Sequence, residues 1–102
     1  MKIKVRFMTM MKIDRLALDT EANVVFANGK EINVDAKSVA KEILSIVKTW
    51  DPFMINPSVL DGLRYDVDIE KDGKVIEYRG ANKFPDNFNA LTDLMRNLGV
   101  ID

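Results

Sequence analysis

Apolar and polar residues alternate without a break over residues 2–7, with Ile3, Val5 and Phe7 on one side and Lys2, Lys4 and Arg6 on the other. A two-residue period belongs to a strand with one buried and one wet face. The alternation slips over residues 8–11 and resumes through Ile13, Leu16 and Leu18, which predicts a turn or bulge near Met10 and a second strand ending near Leu18. Asn28-Gly29 separates two short apolar runs. Both residues tolerate positive φ, so the pair suits the tight turn of a hairpin. Residues 64–70 alternate again, and Asp72-Gly73 supplies a second such turn. Setting Lys71 opposite Lys74 brings Ile69 against Ile76 and Val67 against Tyr78 on one side, and Asp66 against Arg79 and Asp68 against Glu77 on the other.

Two segments carry the longer period of a helix. Asp35 is a suitable cap, and Val39, Ile43, Ile46, Val47 and Trp50 recur behind it at helical spacing, with Lys37, Lys41, Glu42, Ser45 and Lys48 opposite. This predicts a helix over residues 36–49, ended at Asp51-Pro52 because proline disfavours helical geometry in the residue before it. Residues 53–62 read as a loop, with one helical turn within 56–62. A second helix opens at Pro85-Asp86, buries Phe88, Leu91, Leu94, Met95 and Leu98, and closes at Gly99, beyond which Val100 can rest on Met95. The expected fold is α+β: one antiparallel sheet of about four to six strands, two hairpins plus the N-terminal strands, with two amphipathic helices packed on one face. Residues 1–102 suit a single domain.

The fifteen basic and sixteen acidic residues leave a formal net charge of −1, which provides no long-range field toward nucleic acid or an anionic membrane. Neither cysteine nor histidine is present. That removes thiol chemistry, thiolate metal sites and the usual general base at neutral pH. Charged residues interrupt the apolar ones throughout residues 1–20, so no leader or span is indicated and a cytoplasmic location is expected.

The candidate chemistry is sparse. Asp68, Glu70 and Asp72-Gly73 imitate the start of a calcium loop, but Arg79 stands where a bidentate carboxylate is needed and the flanks have strand periodicity. No catalytic residue, cofactor or metal ligand is assigned, no small-molecule substrate is indicated, and the chain is expected not to be an enzyme. The charges of residues 2–6 suggest that the first strand lies beside the second hairpin, basic row against acidic row. Trp50, Phe53, Met54 and Phe84 are the candidate partner contacts, since such side chains are enriched where proteins meet. The expected role is that of a small, bacterial-type accessory or regulatory domain acting by protein contact or self-association along a sheet edge. Two alternatives stand beside it. One is a nucleic-acid module whose phosphate contacts are Lys2, Lys4, Arg6, Lys12 and Arg15. The other is a carboxylate hydrolase using Asp66 and Asp68 with a divalent cation.

Overall fold

The computed structural model describes residues 1–57 and 62–102. The elements run β1 (Lys2–Met8), β2 (Ile13–Asp19), β3 (Val24–Ala27), β4 (Lys30–Ile32), α1 (Ala36–Val47), β5 (Phe53–Ile55), β6 (Arg64–Lys71), β7 (Lys74–Ala81) and α2 (Phe88–Asn97). All strands join one sheet, in the order β4-β3-β2-β1-β6-β7-β5. Every neighbouring pair is antiparallel except β5 with β7.

The alternation of β1 is expressed directly as burial, with Ile3, Val5 and Phe7 inside and the three cations outside. β2 and β6 repeat the pattern with Leu16 and Leu18, and with Tyr65, Val67 and Ile69. These side chains and the buried stripes of both helices form one core. Each fully buried branched or aromatic residue there contributes about 1.5–3 kcal/mol relative to exposure. Asn28-Gly29 and Asp72-Gly73 both form tight reversals, all four residues with positive φ, and the register expected for the second hairpin is present.

Three asparagines tie the layers together. In the first hairpin turn, the Asn28 side chain accepts from the Arg15 N–H at 2.8 Å and donates to the Val100 carbonyl at 2.9 Å, pinning the C-terminal segment to β2. Asn23 accepts from the Ala36 N–H at 3.0 Å, at the entry to α1. Asn87 accepts from the Trp50 indole N–H at 2.6 Å and donates to the Ile46 carbonyl at 2.9 Å, so it closes the end of α1. Asp35 caps α1 as expected, accepting from the Ser38 N–H at 3.0 Å. Gly99 closes α2 with positive φ, donating to Arg96, while Val100 donates to Met95. This pair of bonds satisfies the otherwise free carbonyls of the last turn.

Two expectations are corrected, and a third falls largely outside the described residues. Among the described residues the sheet has seven strands rather than four to six, because β5 forms within the stretch read as a loop. Three residues are too few to show a period; β5 is held instead by Arg79 donating to the Pro52 carbonyl and Asn56 donating to Ala81, both at 2.9 Å. α2 begins at Phe88, since Asn87 is engaged with Trp50 and Pro85 only accepts the Phe88 N–H in a preceding turn. The helical turn expected within 56–62 lies largely outside the described residues.

Candidate functional site

Both helices contribute to the core on one side of the sheet, so the opposite side presents its outward side chains directly. Strand register sets these in rows. Phe26, Ala17, Lys4, Asp68 and Glu77 lie across the sheet in one row, and Arg15, Arg6, Asp66, Arg79 and Phe53 in the next. Basic β1 does lie beside acidic β6, with Lys2 opposite Glu70, Lys4 opposite Asp68 and Arg6 opposite Asp66. Attraction across the pair favours this register, and Lys4 sets a cation beside Asp68, which faces Glu77 on its other side.

The contacts in this lattice are unequal. Arg6 reaches Asp66 at 2.6 Å, and Arg79 reaches Asp68 at 2.6 Å, Asp66 at 3.5 Å and Glu77 at 3.6 Å. Burial works against the Arg79 charge, but the hydrogen bond to Asp68 and the charges of Asp66, Asp68 and Glu77 outweigh it and raise its pKa. The place a cation would take between Asp66 and Asp68 is thus occupied by a guanidinium. No group of three or more acidic, histidine or cysteine side chains suited to a metal occurs among the described residues.

The expected phosphate contacts divide. Arg15 stands directly opposite Arg6, and together with Lys4 they line an indentation of about 330 Å³ floored by Ala17. Lys2 belongs to the far end of β1, and Lys12 sits in the β1–β2 turn, 3.5 Å from Asp14. Nearly buried, Asp14 also accepts from Asn28 at 3.4 Å.

The expected partner contacts are not one surface. Trp50 is 7% exposed, with its ring against Tyr65, Tyr78 and Phe88, and is corrected to a core residue. Phe84 stacks on Tyr65 and packs on Phe88, on the helix side. Phe53 pairs with Arg79 in β5, which aims it to the open side, where it is 68% exposed. Met54, one residue on, points the other way and is half-buried. The two-residue pleat therefore splits a run that sequence composition had joined. A cleft of about 390 Å³ lined by Trp50, Asp51, Met54, Pro85 and Asn87 lies on the helix side of this end.

Sequence reasoning missed one feature. β5 covers only residues 79–81 of β7, so residues 74–78 form an edge with no further strand among the described residues. Val75 and Ile76, on opposite faces of that edge, are 55% and 54% exposed. The signal was present as two β-branched residues directly after a hairpin turn, but it acquires meaning only once the sheet order is known. No protein-family model, curated protein or solved structure matches this chain.

Proposed function

We propose that this protein is a contact domain that accepts an extended segment of a partner polypeptide along the open edge of β7. The supporting observation is the direction of the main-chain groups of β7 that meet no further strand among the described residues. Arg79 donates outward to Pro52, and Ala81 accepts outward from Asn56. The pleat repeats every two residues, so the N–H and C=O of Val75 and Glu77 are directed to the same side. An edge of five residues spans about 17 Å and is a template for strand addition. Val75 and Ile76 offer one apolar contact on each face, and Pro52 closes the slot at one end.

The test begins with sedimentation over a range of protein concentrations, followed by selection from a displayed library of linear peptides. Either a dimer or selected peptides are expected, with amide shifts concentrated at Val75 and Glu77. Val75→Pro removes an outward N–H and leaves the β6 ladder intact, so it should retain the fold and lose the association. The double change Val75→Lys with Ile76→Lys checks the same edge without proline. A monomer that selects no peptide, or association indifferent to both variants, overturns the reading.

A further inference from the structure

We infer that the outward face of β1 and β2 binds a phosphate-bearing ligand between Arg15, Lys4 and Arg6. This site is independent of the β7 edge.

Three observations converge. First, Arg6 and Arg15 are directly opposed across the β1–β2 ladder. Like charges at such positions destabilise a sheet, and the register with β6 accounts for Arg6 through Asp66 but not for Arg15. Second, the local carboxylates are already committed. Asp66 is bracketed by Arg6 and Arg79, and Asp68 is held by Arg79 at 2.6 Å. Arg15 and Lys4 have no carboxylate within 4.0 Å among the described residues, although Lys4 stands opposite Asp68 in the register. Third, the three cations surround a recess rather than a flat surface. Ala17, the small residue of the outward row of β2, leaves the indentation of about 330 Å³ whose lining includes Lys4, Arg6, Arg15 and Asp68.

An anion in this recess would bridge Arg6 and Arg15 and convert their repulsion into a shared attraction. Phosphate fits the chemistry. Arginine forks bind its oxygens in pairs, while lysine contributes a point charge. A carboxylate offers fewer acceptor oxygens to three cations arranged around it. Phe26 lies directly opposite Ala17 on β3 and is half-buried, so it forms a flat neighbour for a ring carried by the phosphate.

The experiment titrates the whole protein with inorganic phosphate, with adenosine monophosphate and with a twelve-residue oligo(dT). Readouts are amide shifts and, for the oligonucleotide, fluorescence anisotropy at two salt concentrations. At least one probe is expected to shift the amides of Lys4, Arg15 and Ala17 together. Arg15→Ala should weaken that probe about tenfold, the usual scale for one charge-assisted contact. Arg15→Lys should recover part of the loss. Tighter, salt-sensitive binding of the oligonucleotide would identify a nucleic-acid backbone as the source; preference for the small phosphates would identify a free ester.

Melting provides a second readout. Phosphate stabilises proteins generally, so each comparison is made against the variant in the same buffer. Without phosphate, Arg15→Ala should melt at a higher temperature than wild type, because the repulsion with Arg6 is gone. With phosphate the gap should close or reverse. Probes that leave these amides unmoved, or an Arg15→Ala variant that binds all three as wild type does, overturn the inference.

Discussion

The ring of Tyr65 is buried against Trp50, Phe84 and Phe88, yet its hydroxyl has no hydrogen-bond partner among the described residues. The ring fits and the oxygen is a cost. Tyr65→Phe should therefore stabilise the fold by about 1 kcal/mol, as removal of an unpaired buried polar group does. Urea denaturation at pH 7 measures this, and a destabilised variant would refute it. Burial also raises the Tyr65 pKa above its ordinary 10.0. Below pH 10 the phenol is neutral in both states. As pH rises beyond that, the unfolded chain ionises first and wild-type stability falls, a loss that Tyr65→Phe should lack. The same ring explains Gly80, whose added Cβ would land on it. Gly80→Ala is expected to cost about 3 kcal/mol through overpacking. The cost should shrink when Tyr65 is also changed to Leu, and a double-mutant cycle showing simple additivity would refute the contact.

At the scale of elements, β1 shows how much a pattern conveys. Its buried face followed from alternation alone, and its place beside β6 followed from the complementary charges of Lys2, Lys4 and Arg6 with Glu70, Asp68 and Asp66. Lys4→Glu sets a second carboxylate against Asp68 and should lower stability by about 0.5–1 kcal/mol. An unchanged melting midpoint would mean the outward charges do not select the register. Helix α1 was equally legible, because Asp35 and its apolar stripe are local signals. The hydrogen bonds from the Ser38 side chain and N–H, with Lys37 nearby, lower the Asp35 pKa below its ordinary 3.8. The cap's contribution is then complete above that value and is lost as pH falls through the lowered one. Wild type should melt above Asp35→Ala at pH 7, and the two should converge as acid protonates the cap. β5 had no such signal. Its three residues obey no period, and its partner on β7 lies far along the chain, so only tertiary hydrogen bonds define it. The candidate site was legible in the same measure. The residues around the recess were named from their charge, whereas the splitting of Phe53 from Met54 and Phe84 required knowing which way the pleat of a three-residue strand turns.

Across the whole molecule, stability should grade along the order of the sheet. β1 is flanked by β2 and β6 over its full length and buries three side chains, so its amides open only when the core does. β5 lies at the margin, pairs over three residues, and exposes Phe53 and Ile55. Elements with few buried contacts open locally at a fraction of the global free energy. Native-state hydrogen exchange should therefore show the Arg79 amide, bonded to Pro52, exchanging well before those of Lys4 and Val5. The β5 margin is also where the open edge begins. Local release of Pro52 would free the Arg79 N–H and lengthen that edge toward Ala81, giving an incoming strand more main chain to pair with. Exchange of Arg79 at the same rate as Val5 would show instead that β5 is as firmly fixed as the centre, and would limit strand addition to the five residues already free.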